Sequence, residues 1–417
     1  MLKGWEEKSI GKLGTFSKGS GVSRADSNSG KLPCIRYGEI YTTHNDYIKD
    51  FTSFISSEVA QTAKVLKRGD LLFTGSGETK EEIGKCVAFI DDFEAYAGGD
   101  IIILTPSGEV DPLFMGFMLN TPDVVKQKAS KGQGDAVVHI TAKALSDVTV
   151  LLPSLPAQRA IAAALSDADA YIAALEKLIA KKRNIKQGAM QELLTGKRRL
   201  PGFSGEWVEK PLSRVLKVGH GKSQHEIEIA GGKYPILATG GEIGKTNAFL
   251  YDQPSVLIGR KGTIDKPQFM DTPFWSIDTL FYTIIGESAS PKYLYYLFCT
   301  IEWANLNEAS GVPSLSAGII EKLEVYLPSD KNEQAAIAEV LSDMDAEIDA
   351  LAAKLNKARR IKSGMMSELL TGKIRLVENG KDHKVVVYEL PEAAPFLKAA
   401  EPAAKDYNRK MGDAQSG

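Results

Sequence analysis

A line of apolar positions runs through Ile161, Leu165, Ala168, Ile172, Leu175 and Ile179, alternating in steps of three and four. That spacing draws one seam along an α-helix. The same seam returns at Ile337, Leu341, Met344, Ile348, Leu351 and Leu355. The two stretches are copies: residues 158–200 laid on residues 334–376 without a gap, an offset of 176 (334 − 158), agree at 26 of 43 positions. Pro156 suits the first turn of one copy, and Asp330 with Glu333 three residues on gives the other a capping-box start. Each copy ends in Leu-Leu-Thr-Gly-Lys, where Gly196 and Gly372 stop a helix and the basic residues that follow suit the end of its dipole. The pattern predicts two long helices with a local bend at Gly188 and Gly364, each a rod of roughly 45 Å from about 30 residues. A lone rod exposes its seam, and the nearest partner is the other copy, packed antiparallel as a coiled coil. A seam alone does not require that the polar residues of 192–197 return unchanged in 368–373, whereas a surface docking two copies of one partner would.

The segments around the helices echo each other too. Trp5-Glu6-Glu7-Lys8 opens one and Trp207-Val208-Glu209-Lys210 the other. Each continues to a Pro-led apolar run, at Pro33 and Pro235, and then to β-branched runs bounded by glycine, 70–75 and 101–104 in one, 256–259 and 279–282 in the other. These read as strands with turns. A helical piece follows in each, 112–119 and 291–300, and a last strand leads through Leu152-Pro153 or Leu327-Pro328 into the long helix. The predicted order is globule 1–151, helix 152–204, globule 205–326, helix 327–376, and a tail 377–417 whose residues 392–417 are expected to be poorly ordered. The fold class is α+β, each globule a curved, partly antiparallel sheet with short helices.

Composition narrows the chemistry. With 417 residues and 43% hydrophobic content the chain can bury more than one core. Three cysteines without a CxxC spacing leave one unpaired and favour a reducing compartment. No targeting signal or apolar run of membrane length is present, so a cytoplasmic protein is expected. Net charge is −2, but residues 152–204 hold 9 Lys and Arg against 4 Asp and Glu, while 1–151 hold 17 against 20 and 205–326 hold 11 against 14. Nucleic-acid binding by a general basic coat is thereby excluded. The run from Pro235 to Gly244-Lys245-Thr246 tempts a phosphate-loop reading, but Thr239 stands where that loop needs glycine and Pro254 follows soon after. Five scattered histidines make no metal cluster, and no methyltransferase amine-holding motif or glycine-rich cofactor loop is visible. The chain reads as a binder without catalytic residues or a cofactor of its own; the alternative is an enzyme, nucleotide-binding through Gly244-Lys245-Thr246 or a methyltransferase of unfamiliar motif.

Two divergent globules, each followed by a near-identical helix that begins after Leu-Pro with Gln-x-x-Ile-Ala and ends in Glu-Leu-Leu-Thr-Gly-Lys-x-Arg-Leu, resemble the specificity subunit of type I restriction-modification systems. The resemblance covers residues 1–376; Ala157, where the family commonly has Glu before the Gln, departs from it, and the tail is not explained by it. It implies two target recognition domains, each reading half of a bipartite site in double-stranded DNA, and helices that set the gap and dock two methylation subunits. The chemistry would belong to those subunits, using S-adenosylmethionine to methylate a flipped adenine, and to restriction subunits using ATP with magnesium. Half-sites about one turn of B-DNA apart are expected. Met190, Leu193, Leu194, Met366, Leu369 and Leu370 are the candidate docking face, the competing reading being that they close the helix bundle. Polar residues on turns that follow strands are the candidate DNA contacts. They are Arg36, Tyr37, Thr74, Ser76, Lys131, Gln133 and His139 in the first globule, and Thr239, Lys245, Arg260, Lys261 and Ser314 in the second.

Overall fold

The computed structural model describes residues 4–374 and 376, apart from 81, 109, 135 and 136; the tail 377–417, with its expected disorder, lies outside the described residues. The chain divides into two units, residues 1–174 with 355–417 and residues 175–354. Each unit therefore holds one globular module, the first part of the long helix that follows it and the last part of the other long helix.

In the first unit, Glu6–Ser9 pairs antiparallel with Thr149–Leu152 and joins the two ends of the module. The central antiparallel sheet runs in the order Gly14–Lys18, Ile101–Pro106, Leu71–Thr74, Cys86–Ala88. Leu71–Thr74 is buried along its whole length, so it reads as a continuous apolar run and not as an alternation. A second sheet sets Leu32–Ile35 parallel to Tyr96–Ala97, with Ser53–Ile55 and Lys64–Val65 outside them. Asp111 caps the helix Pro112–Met118 by accepting from the Phe114 amide at 2.8 Å. Ile161 and Leu165 of the first long helix and Met365, Leu369 and Leu370 of the second enter one core with Phe73, Phe114 and Leu145.

The second unit repeats the plan. Trp207–Pro211 pairs with Glu324–Pro328, and the central sheet runs Leu216–His220, Leu280–Ile285, Ser255–Gly259, Gln268–Met270. Its second sheet again contains a parallel pair, Tyr234–Ala238 with Trp275–Ser276. Here the sequence departs from the first module: Tyr234–Ala238 turns back directly as Gly241–Thr246. The core takes in Leu193 and Leu194 from the end of the first long helix and Ile337, Ala338 and Leu341 from the start of the second.

The long helices, Leu155–Leu193 and Lys331–Leu369, have 39 residues each and run unbroken through Gly188 and Gly364. At about 1.5 Å per residue each is roughly 58 Å long, more than the 45 Å expected. They pack antiparallel. In the second unit Lys186 meets Asp345 at 2.5 Å and Lys182 meets Glu347 at 2.6 Å. In the first, Lys362 meets Asp169 at 2.8 Å and Asp46 at 3.5 Å. Lys362 is the counterpart of Lys186 (186 + 176) and Asp345 that of Asp169 (169 + 176), so one pairing is used twice with the roles exchanged. Each lysine also lies 5.2 Å from an aromatic centroid, Phe117 for Lys362 and Tyr296 for Lys186. Burial pushes the Asp46 carboxyl up from its ordinary value while the Lys362 charge holds it down.

Three motif residues have work inside the chain that the sequence did not disclose. Gln158 is buried; its Oε1 accepts from the Asp111 amide at 2.9 Å and its Nε2 donates to the Pro153 carbonyl at 2.9 Å. Gln334 does the same with the Ser290 amide at 2.8 Å and the Pro328 carbonyl at 2.9 Å. Each glutamine thus ties a long helix to the start of its module's short helix. Glu333 does not close a capping box. Asp330 accepts from the Asn332 amide at 2.8 Å, but Glu333, fully buried, takes both Nε and Nη2 of Arg199 at 2.5 and 2.7 Å and the Trp207 indole N–H at 3.3 Å. A buried carboxylate needs a charged partner more than an exposed helix end needs a cap.

The first unit also buries Lys128, at the end of the helix Pro122–Lys131; its Nζ donates to the carbonyls of Gly84 at 2.6 Å and Leu119 at 2.8 Å. Burial pushes this amine down to about 8 from 10.5. Between those values the unfolded chain binds more protons than the folded one, so folding stability gained from this group rises with pH. Denaturant titrations from pH 7.5 to 10.5 should show wild type gaining stability relative to Lys128→Met across that window; a pH-independent difference would mean the amine titrates normally in the fold. Among the described residues no helix is long and apolar enough to cross a membrane.

Candidate nucleic-acid interface

Each module carries one tip where backbone bonds from three segments converge. In the first, Gly75 follows the buried strand Leu71–Thr74, and its amide donates to the Asp100 carbonyl at 2.7 Å while its carbonyl accepts from the Ile140 amide at 3.0 Å. In the second, Arg260 follows Ser255–Gly259; its amide donates to the Thr279 carbonyl at 2.8 Å and its carbonyl accepts from the Leu315 amide at 2.9 Å. Gly75 and Arg260 are therefore structural counterparts, as are Ser76 with Lys261 and His139 with Ser314, which face each other in register in each module.

At the first tip, Ser76, Gln133 and His139 come together. The Ser76 hydroxyl lies 2.9 Å from His139 Nδ1, and Gln133 and His139 exchange two backbone bonds at 2.8 and 2.9 Å. Lys131 ends the helix two residues before Gln133. Beside them opens a cleft of about 470 Å³ lined by Phe16, Lys18, Asp100, Ile102, His139 and Thr141, several of which the sequence did not single out. The one hint was Gly98-Gly99-Asp100, and Asp100 has a φ of 60°, unusual for a residue with a side chain. Thr74 belongs to the interior instead: it is fully buried and its hydroxyl oxygen accepts from Tyr41 at 2.6 Å. Arg36 is engaged within the module, 3.8 Å from buried Glu39 and 3.4 Å from the Ser53 hydroxyl. Tyr37 is exposed, at the start of the short helix Tyr37–Thr42.

At the second tip, Arg260, Lys261 and Ser314 come together, with Thr239 beside them, since a Cβ on Gly262 would lie 3.9 Å from the Thr239 hydroxyl. Gly262 has a φ of +87°, a turn that suits glycine, and its amide donates to the Pro313 carbonyl at 2.8 Å. Lys245 stands apart on the strand Gly241–Thr246, 3.5 Å from Glu242. That placement removes the phosphate-loop reading: Gly244-Lys245-Thr246 is extended and paired with Tyr234–Ala238, Thr246 is buried, and no helix follows to receive an anion.

The docking candidates are not free. Leu193 and Leu194 lie in the second module's core, Leu369 and Leu370 in the first's, with Met190 and Met366 packed against them. The retained Leu-Leu-Thr-Gly has an internal cause as well. Gly196 and Gly372 have φ of +70° and +69°, Thr195 and Thr371 bond back to carbonyls at 2.6 and 2.5 Å, and the Arg198 and Ile374 amides return to the Glu192 and Glu368 carbonyls at 3.2 Å. Two helices that must stop and bury their last leucines in a module need the same residues to do it.

The same α+β module thus occurs twice in the chain, each copy closed by segments of both long helices and each with an equivalent tip. Residues 2–187 and 204–360 each match the family described as type I restriction modification DNA specificity domain. The chain belongs to that family and carries its domain twice; it is a DNA sequence-recognition chain of a type I restriction-modification system. It is similar to the MjaVIII specificity subunit of Methanocaldococcus jannaschii, 22% identical over 374 residues, 79% of this chain and 85% of that one. Over 168 residues, 40% of this chain and 37% of the relative, it is 24% identical to the EcoDI specificity subunit of Escherichia coli. A solved type I restriction-modification S subunit from M. genitalium shares the fold, with a TM-score of 0.63 at 16% identity over 88% of this chain and 96% of that one.

Because Leu193 and Leu369 are core residues, replacing either with Ala should cost about 2–5 kcal/mol of stability in the chain alone. Thermal unfolding of the isolated Leu193→Ala and Leu369→Ala variants is the check, and wild-type midpoints would return these leucines to the docking surface.

Proposed function

We propose that each module reads one half of a bipartite target in double-stranded DNA, that the paired helices set the gap between the halves, and that this chain performs no chemistry. The observation that carries this reading is the pair of equivalent tips: one scaffold, used twice, holds different side chains at the same place. A scaffold duplicated with its tips diverged fits two different half-sites better than one substrate. Methylation of adenine would fall to two methylation subunits using S-adenosylmethionine, and cleavage to restriction subunits using ATP with magnesium, all in the cytoplasm. Expressing the chain with its methylation subunit and mapping methylated adenines in the host genome should reveal a split motif with an unspecified gap of fixed length. A continuous motif, or methylation without sequence preference, would refute the reading.

Docking of the methylation subunits is better placed on the exposed helix surface around Gly188 and Gly364 than on the leucines. Both copies keep glycine mid-helix, where it costs about 1 kcal/mol relative to alanine. Beyond its own turn of helix, a Cβ at either position meets no atom of the described residues within 4 Å. Packing within the chain therefore does not explain the glycines, whereas close approach of a partner does. Gly188→Leu and Gly364→Leu should leave the isolated chain at least as stable as wild type and block one methylation subunit each on gel filtration of the complex. Full assembly of both variants would place docking elsewhere.

A further inference from the structure

The two tips differ in one chemical respect, and the difference bears on which bases are read. Gly75 in the first module is replaced by Arg260 in the second, and Ser76 by Lys261. Arg260 is partly buried and braced: its Nη1 donates to the Asp278 carbonyl at 3.3 Å and its guanidinium lies 6.0 Å from the centroid of Phe281. The other side of that arrangement is occupied too, since His220 meets Phe281 edge-on at 5.0 Å. In the first module the residues in register at these places are Ile102 and Lys18, and the space beside them is the open cleft. Lys261 is exposed and, among the described residues, has no such brace. Among the described residues, neither Arg260 nor Lys261 has a carboxylate within ion-pair distance, unlike Lys245 and Arg36.

Resting on the reading that the modules bind DNA, we infer that Arg260 reads a guanine in the half-site of the second module and that Lys261 grips a neighbouring phosphate. The brace decides between the two cations. A guanidinium held at Nη1 keeps its Nε and Nη2 hydrogens directed as a fork, which matches the O6 and N7 acceptors of guanine in the major groove. An unbraced ammonium on a four-carbon stem is a point charge, suited to a phosphate oxygen and carrying no sequence information. The main-chain bonds on both sides of Arg260 hold its Cα before DNA arrives, so little ordering remains to be done on binding. The first module has no cation at the equivalent place, so its half-site is read by other groups and is untouched by changes at Arg260.

The test uses the full chain in complex with its methylation subunit, with methylated-adenine mapping and DNA-binding titrations as readouts. Arg260→Gln should lower discrimination about 10- to 100-fold at one G·C pair of one half-site and leave every other position as in wild type. Lys261→Gln should instead weaken binding evenly across sequences and reduce the slope of log affinity against log salt by about 1. Should Arg260→Gln lower the thermal midpoint of the chain, Arg260→Lys replaces it: the charge remains, the fork is lost, and the G·C preference should still relax. Loss spread over all positions or over both half-sites in the Arg260 variants, or relaxation of a single base in Lys261→Gln, overturns the inference. A wild-type split motif with unaffected Arg260 variants sinks this inference alone; no split motif in wild type sinks the underlying reading instead.

Discussion

The structure depends on a reciprocal contact between two copies of one helix. Lys186 with Asp345 and Lys362 with Asp169 are the same pair of positions met twice, once in each unit, with donor and acceptor copies exchanged. Antiparallel packing makes this possible, because in that arrangement any contact between position a of one copy and position b of the other implies a second contact between b and a. Such ion pairs, partly withdrawn from water, add little net stability, since desolvation offsets most of the attraction. Their value lies in register. A slip by one turn would leave Lys362 beside apolar neighbours without its acid partner, and the cost of an unpaired charge at that depth would oppose it.

That register has a consequence for the modules. The last turn of each long helix supplies leucines to the core of the module that precedes the other helix in the chain: Leu193 and Leu194 to the second, Leu369 and Leu370 to the first. The first core takes leucines from a helix end more than 200 residues after its last strand, Thr149–Leu152, while the second takes them from the helix end just before its first strand, Trp207–Pro211. The retention of Leu-Leu-Thr-Gly in both copies follows from this, because both ends do the same job. The second module adds a bond the first lacks in that form: Glu333 holds Arg199 and Trp207, whereas its counterpart is Ala157 (333 − 176).

What was legible in the chain was what local period records. The seams, the copied stretch, the apolar runs at 70–75 and 256–259 and the helices after Asp111 and Ser290 could all be read, since each is written within a few residues of itself. The features that the sequence does not disclose are those whose partner is remote. Gln158 reaches an amide 47 residues back and Glu333 an arginine 134 residues back, and nothing near either residue announces it. The same limit governed the candidate site. Arg260 and Lys261 could be placed on a turn that follows a strand, but that Ser314 faces them and Phe281 braces Arg260 depended on strand pairing. Thr74, placed at the end of a strand, looked surface-bound and is interior because Tyr41 reaches its hydroxyl.

The way the tips are built explains how one scaffold can carry different readers. At both, the bonds that fix position are main-chain to main-chain: Gly75 between Asp100 and Ile140, Arg260 between Thr279 and Leu315. Backbone amides and carbonyls are present whatever the side chain, so substitution there leaves the anchoring bonds in place. A side chain at the tip can then change between glycine and arginine without loss of the turn, provided its backbone angles stay allowed. Positions whose side chains anchor the fold, Gln158 and Gln334 for example, have no such freedom, since changing either would leave a buried amide and a carbonyl without partners. The division between the two kinds of position is therefore physical: at the tips main chain carries the structure and side chains are left to recognition, whereas at Gln158 and Gln334 the side chain carries it and both copies keep glutamine.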